Sequence, residues 1–570
     1  MNLFYKFAVT AVFVAGITAF EASASGNQVF ASETATDSRL KATSTQPCRI
    51  APPGEDDRYI TEQPEGTETI LNKKGTGHGS VYTGMIVIMP FTQQLDGCVS
   101  KLVVNGEKAY LYGPWSCRPT EGWMEGDIAD NVITFQLPQL IKKSESVFGN
   151  PILEYAVKLE EGTDETTGQP TYVISEDQSF KLQIGEDGTV SNVEEGKMIG
   201  SASYTEGWFG GEGEWSWTGA GDIVTSWNKV DEQPEVAPNT LKFEDYYYIN
   251  GNGHTANIYL FPLAFDGDKV WLKNAAQATS LYDNCWVGDY NAADGTVTFN
   301  SGQFLGVDWD TQNLIYAFGA TWEDGVQPGE GGEGVPVVIY SYADKVVFTF
   351  DKENKTLSTK DAFVTARAKS EDSALHAYQS PSLKMQPADF VASEPQAPFI
   401  ESYYPADEYN ENPMMYFILP LLDKDMNVLD MKNMYYSVYL DDELYVYNKS
   451  DYNDLPEDEM TEIPVIGFPQ GTPQYFIFVD NWVGGTIFTK KAYDRIGVQT
   501  VYRQGDHVTR SEITYDQPSS VDNVMTDGVL VDETFYDMQG RVVKNPADGL
   551  YIRRATYSDG TVITRKIVRK

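Results

Sequence analysis

The residue types able to do chemistry are unevenly supplied in this chain. Asp and Glu total 83, against four histidines and four cysteines. His78, His254, His376 and His507 each stand alone in sequence, so imidazole ligation of a metal or a histidine-based triad has little material. No G-x-S-x-G elbow, H-E-x-x-H helix or phosphate-binding loop occurs. Asp423-x-Asp425-x-Asn427 opens like a calcium loop, but Val428 stands where that loop needs glycine and Met434 where it needs a bidentate glutamate. The pattern therefore reads as a polar strand connection. With so many carboxylates, a hydrolase working through an Asp/Glu pair, such as a glycoside hydrolase, is the alternative reading, yet no spacing singles out a pair. The expectation is a non-catalytic chain with no cofactor and no catalytic or metal-binding residue.

One segment has a composition suited to ligand contact. Glu206 to Gly221 places Trp208, Trp215 and Trp217 among glycines. Indole rings held flat and exposed would form a platform for sugar rings, and packed indoles would simply cover a sheet edge. Trp123 and Trp286, each inside an alternating strand pattern, read as core. Tyr246-Tyr247-Tyr248 and Tyr403-Tyr404 are exposed-aromatic candidates, with the core reading again favoured.

The elements that position these residues are strands. Tyr (35), Phe (27) and Trp (11) with 49 Gly favour β structure over helix bundles. The middle of the chain repeats with a period of about 161 residues. Gly106 to Leu111, Trp123 to Gly126 and Asp130 to Phe135 are echoed by Gly267 to Leu272, Trp286 to Gly288 and Asp294 to Phe299. Leu153 to Val157 and Phe180 to Ile184 match Leu314 to Phe318 and Val346 to Phe350. Short alternating strands closed by Gly, Asp and Asn turns predict an antiparallel sandwich, barrel or sheet in each copy.

Beyond Pro395 and Pro398, strand candidates lie at Phe399-Ile400, Met415 to Leu419, Tyr435 to Leu440, Leu444 to Tyr447, Tyr475 to Val479, Ile496 to Tyr502 and Ser511 to Tyr515. Such a set predicts an immunoglobulin-like or fibronectin-III-like sandwich. The expected fold is all-β: two tandem β-rich repeat modules, that sandwich and a small C-terminal β module. The expected organisation is a signal peptide at 1–24, a flexible leader at 25–59, repeat modules at 60–230 and 231–388, the sandwich at 389–520 and the terminal module at 525–570.

Lys6, an apolar run from Phe7 to Phe20 and Ala22-Ser23-Ala24 read as a secretory signal, too short to span a bilayer. An exported chain permits disulfides, and Cys98 with Cys117 is the expected pair, while Cys48 and Cys285 complete the set. A net charge of −41 argues against nucleic acid as a partner. No later stretch is apolar enough for a transmembrane helix, so no transmembrane span is expected in the mature chain.

From Phe535 to Lys570 the charge reverses, with eight Lys/Arg against three Asp. Tyr536-Asp537-x-x-Gly540-Arg541, then Gly549-x-Tyr551, then the terminal Lys566 to Lys570 resemble the C-terminal sorting domain of type IX (Por) secretion cargo of Bacteroidota. Only about seven residues separate the turn from the Gly549 strand, fewer than the family usually has. The resemblance implies secretion or surface display, with the type IX machinery as partner. The two copies likewise resemble tandem β repeats of large secreted Bacteroidota proteins, and the Ile496 to Tyr502 strand with its Gly505-Asp506 turn resembles the last hairpin of a fibronectin type III domain. An extracellular glycan or a host or surface protein is the ligand class expected, which makes an adhesin or scaffold the leading reading. Tyr536 and Tyr551 are expected on one buried face of the small sheet, with Arg541, Arg553 and Lys566 outward.

Overall fold

The computed structural model describes residues 58–83, 87–116, 120–145, 151–163, 170–186, 189–205, 214–251, 253–328, 334–369, 373–404, 414–452, 455–466, 474–479, 482–489, 493, 495–515, 530–536, 543, 549–557 and 562–569. Regular structure in them is almost wholly strand, with 3-10 turns and no long helix. The described residues up to Tyr248 with those of Tyr259–Met385 make one compact unit, and those of Ile249–Ile258 with those from Gln386 onward another.

The first repeat module contains β1 (Thr67–Thr83), β2 (Val87–Asn105), β3 (Lys108–Tyr112), β4 (Trp123–Ala129), β5 (Val132–Gln136), β6 (Gln139–Glu145), β7 (Pro151–Thr163), β8 (Pro170–Ile174), β9 (Ser179–Ile184), β10 (Val190–Asn192), β11 (Met198–Thr205) and β12 (Glu214–Lys229). Antiparallel pairing runs β1-β2-β3-β4-β5-β9-β10-β12 and returns to β1, closing an eight-stranded ring. The strands left out of the ring form a flanking sheet, in which β7 pairs β6, β8 and β11, and β11 rejoins the ring at β12.

The second module repeats this plan with β13 (Glu244–Asn250), β14 (Asn257–Asp266), β15 (Lys269–Lys273), β16 (Cys285–Asn291), β17 (Thr296–Asn300), β18 (Gln303–Asp308), β19 (Asn313–Pro328), β20 (Gly334–Ala343), β21 (Lys345–Asp351), β22 (Thr356–Ser358), β23 (Ala362–Ala366), β24 (Ala374–Gln379) and β25 (Ser382–Met385). Its barrel is β13-β14-β15-β16-β17-β21-β22-β25. Its flanking sheet has β19 paired with β18, β20 and β23, and β23 with β24. The single long β12 corresponds to the pair β24 and β25. Ser380, at φ +42°, and Pro381 interrupt the second copy there, because proline supplies no ladder N–H.

Local sequence explains the match. β5 (VITFQ) and β17 (TVTFN) share one alternation of half-buried and buried positions, as do β4 and β16. Gly126 and Gly288 face Phe135 and Phe299 across their ladders, and a Cβ on either would come within 2.9 Å of the ring. Gln139 and Gln303 make the same three-bond clamp. The side-chain carbonyl of Gln139 accepts from the Glu125 N–H, and its amide donates to the carbonyls of Glu125 and Gln136. Gln303 does this with Val287 and Asn300.

The register corrects one pairing expected from sequence. Leu111 faces Met124 and Leu272 faces Trp286, whereas Tyr112 faces Trp123 and Lys273 faces Cys285. Trp286 is thus the counterpart of Met124, and Trp123 of Cys285. Matching tryptophan to tryptophan slips the strand by one residue, which exchanges its faces. Both indoles are buried: Trp286 sits inside the second barrel against Phe299 and Phe363, and Trp123 packs on Tyr112.

The other unit contains a sandwich. One sheet has the order Phe399–Tyr404, Met414–Pro420, Trp482–Phe488, Gln474–Val479, and the other Glu443–Leu444, Met434–Leu440, Ile496–Gln504, His507–Arg510. This is the A-B-E-D and C′-C-F-G order of an immunoglobulin-type sandwich. Phe417 and Tyr436, 5.3 Å apart, join the two sheets. The strand Trp482–Phe488 is absent from the set expected from sequence, yet it pairs with Met414–Pro420 along its whole length.

The terminal strands Leu530–Tyr536, Gly549–Tyr557 and Val562–Arg569 form a three-stranded sheet. Tyr536 stands opposite Ile552, and Tyr551 opposite Ile567. Positions 536 and 551 therefore belong to opposite faces, not to one. Position 553 shares a face with 551, and 566 with 536, so the expected division into an aromatic face and a basic face is not realised.

Candidate functional site

The two barrels differ at one end of their interiors, and the difference concerns chemistry. Following the ladders, Cys98 and Ser100 on β2 correspond to Tyr259 and Phe261 on β14, because Leu102 and Leu263 face Leu111 and Leu272. Asp222 on β12 faces Ile199 as Tyr378 on β24 faces Phe363. Lys73 on β1 faces Trp227, and Tyr248 is the residue that follows in the corresponding ladder of β13 with β25. The second barrel is thus sealed by aromatics. Tyr259 and Phe261 lie 5.2 and 5.3 Å from Tyr378, and Tyr248 stacks on Tyr259 at 5.8 Å. Burial drives the Tyr378 hydroxyl pKa well above its ordinary value and that of Tyr248 up to about 12.

In the first barrel the same positions hold an ion pair. Lys73 Nζ lies 2.8 Å from Asp222 Oδ2, and neither side chain has any solvent exposure. Ser116 Oγ donates to Asp222 Oδ2 at 2.7 Å. Lys73 Nζ and Ser100 Oγ both donate to the Gly113 carbonyl, at 3.2 and 2.6 Å. The Gly113 N–H in turn donates to Thr120 Oγ1. Around this network the barrel is apolar, with Leu71, Leu95, Trp115 and Trp227 in one core cluster. A Cβ on Gly77 would come 2.9 Å from Leu95 and 3.1 Å from Asp222 Oδ1, so glycine there makes room for the carboxylate. Nothing in the sequence pointed to Lys73 or Asp222. They lie far apart in the chain, and only closure of the ring joins their strands.

Cys98 borders this network as a buried free thiol. Its sulfur lies 3.6 Å from Asn313 Oδ1 and 3.9 Å from the Arg367 guanidinium. Burial pushes its pKa up, against the pull of Lys73 and Arg367. The disulfide expected between Cys98 and Cys117 is therefore not what Cys98 forms, because it points into the polar network, and Cys117 lies outside the described residues. Cys285 is also a buried free thiol, pushed up to about 11 by burial.

Of the tryptophan segment, Trp208 lies outside the described residues. Trp215 is 7% exposed and packs edge-on against Tyr155 and Tyr204. Its indole is part of the flanking-sheet core rather than an exposed platform, because position 215 shares a face with the buried Tyr155 cluster. Trp217 is half-buried, meets Tyr172 edge-on at 5.6 Å and donates its indole N–H to the Ala220 carbonyl.

Asp423 is fully buried, with four N–H donors around its carboxylate: the backbones of Ser393, Asp425 and Asn427 and the Asn427 side chain. Its oxygens organise the connection, as expected from the missing glycine. No group of His, Cys, Asp and Glu suited to a metal ion occurs among the described residues. Of the sorting motif, Tyr536, Gly549 and Tyr551 lie in strands, while Asp537, Gly540 and Arg541 fall outside the described residues. Among the described residues no helix is long and apolar enough to cross a membrane. No protein-family model, curated protein or solved structure matches this chain.

Proposed function

We propose that this chain is an exported, non-catalytic scaffold or binding protein of the cell surface or extracellular space, delivered by a type IX sorting tail. The observation that carries the reading is the filling of both barrels. An eight-stranded barrel is just wide enough to be packed solid or to hold one small ligand. Here Trp115, Trp227, Phe135 and Leu182 fill one interior, and Trp286, Phe299, Phe348 and Phe363 the other. Recognition then falls to outer surfaces, in the manner of an adhesin. Of the two described tryptophans of the segment, Trp217, half-buried beside Tyr172, is the better placed to meet a glycan or a protein there.

The reading has two tests. Deleting residues 535–570 should leave a folded body in the periplasm of cells with an intact type IX system, and equal delivery of truncated and parent protein to the surface or medium would remove the sorting assignment. On a glycan array, Trp217→Ala should weaken any hit of the parent while Trp215→Ala affects stability instead. Identical profiles for parent and Trp217→Ala would remove the glycan platform.

A further inference from the structure

Lys73 and Asp222 belong to the two strands whose pairing closes the first barrel. As ammonium and carboxylate they leave bonding capacity unused in a site with no solvent exposure. An ammonium has three donors, yet Lys73 Nζ meets only Asp222 Oδ2 and the Gly113 carbonyl among the described residues. Asp222 Oδ1 has no hydrogen-bond partner. A buried ion pair offsets its desolvation only when its remaining protons and lone pairs are satisfied, and this one falls short on both sides.

We propose that Lys73 and Asp222 are joined in the mature protein by an intramolecular isopeptide bond that the folded barrel forms by itself. In the step, one proton passes from the ammonium to the carboxylate and is carried on Oδ1, the oxygen that Ser116 does not hold, so that both charges vanish together. The neutral Lys73 amine then adds to the Asp222 carboxyl carbon. The new C–N bond forms, the bond from that carbon to Oδ1 breaks, and Oδ1 leaves as water with the carboxyl proton and one amine proton. Net charge is zero before and after, and no oxidant, metal or second reactant is consumed. Ser116, donating to Oδ2, is placed to stabilise the negative charge that develops on that oxygen during addition.

The product fits the contacts better than the ion pair does. The amide has one N–H, and the Gly113 carbonyl is already beside Nζ to accept it. The retained oxygen keeps the Ser116 hydroxyl, and the oxygen without a partner is the one expelled. The second barrel, with Tyr248 and Tyr378 at these positions, has no such pair and serves as an internal control.

The test is mass spectrometry of the full chain after denaturation and tryptic digestion. The expected result is a branched peptide joining the Lys73 and Asp222 segments, lighter than the two separate peptides by one water, with no cleavage after Lys73. Linear peptides with ordinary cleavage after Lys73 would overturn the proposal. This measurement needs only the parent protein, so it stands even where Lys73→Met fails to fold. Ser116→Ala should leave a mixture of joined and unjoined chains in freshly made protein, and complete joining in that variant would remove the role given to Ser116.

Discussion

Gly126 and Gly288 show how a single atom is used in both barrels. A Cβ at either would meet a phenylalanine ring at 2.9 Å and a threonine carbonyl at 3.0 Å, two neighbours that cannot both give way. Gly126→Val and Gly288→Val should each destabilise the protein by about 1–3 kcal/mol or more, the usual cost of overpacking, seen as a lower urea midpoint. His78 makes a different prediction. Burial lowers its pKa from 6.5, and the Asp222 carboxylate, which opposes the shift, loses its charge once it is joined to Lys73. Because the native pKa is the lower one, the unfolded chain takes up a proton first as the pH falls. Stability should therefore drop on acidification through 6.5 towards the native value, the sign set by proton linkage. His78→Gln should flatten that part of the pH profile of the urea midpoint, and an unchanged profile would show that His78 does not drive it. At this scale the sequence spoke for Asp423, read as part of a polar strand connection, where its carboxylate takes four N–H donors. It was silent about Lys73 and Asp222, since a buried charge is defined by neighbours that only the closed ring supplies.

At the level of strands, alternation was legible and closure was not. Ile133 and Phe135, or Val297 and Phe299, announce a half-buried strand by their spacing alone. The pairings that complete the rings, β5 with β9 and β10 with β12, span the β6–β8 and β11 excursions, and no local pattern encodes them. Register was the other weak point. Trp123 and Trp286 invite superposition by residue type, yet their neighbours place them one step apart. Trp482–Phe488 was missed, although Gly485 is buried between Phe417 and Phe476 in the ladders. Trp215 shows why composition misled: glycine-flanked indoles look like a platform until the opposite strand, with Tyr155 in the same core cluster, covers one of them. Trp215→Ala should cost about 3–5 kcal/mol, as for a buried aromatic truncated in a core, measured by urea unfolding without any ligand. A loss below about 1 kcal/mol, the range of surface changes, would mean that the indole is not packed as described.

For the whole chain the dominant quantity is charge, 83 acidic residues against 42 basic. Ion pairs such as Lys269 with Asp289, Lys355 with Glu244 and Lys424 with Glu394 cannot neutralise such an excess, and all three are largely exposed. Pairs of this kind are worth about 0–1 kcal/mol each, and salt weakens them. Salt also weakens the repulsion among the surplus carboxylates, and the two effects oppose one another. Raising NaCl from about 10 mM to about 150 mM shortens the screening length from about 30 Å to about 8 Å. Over that range the long-range repulsion of a net −41 chain is lost, whereas contacts near 3 Å are only partly screened. The urea midpoint should therefore rise with NaCl, most steeply at the low end. A midpoint that falls would mean that local pairs outweigh the net field. The Lys73–Asp222 link should add nothing to this slope, because it is buried and, as an amide, uncharged.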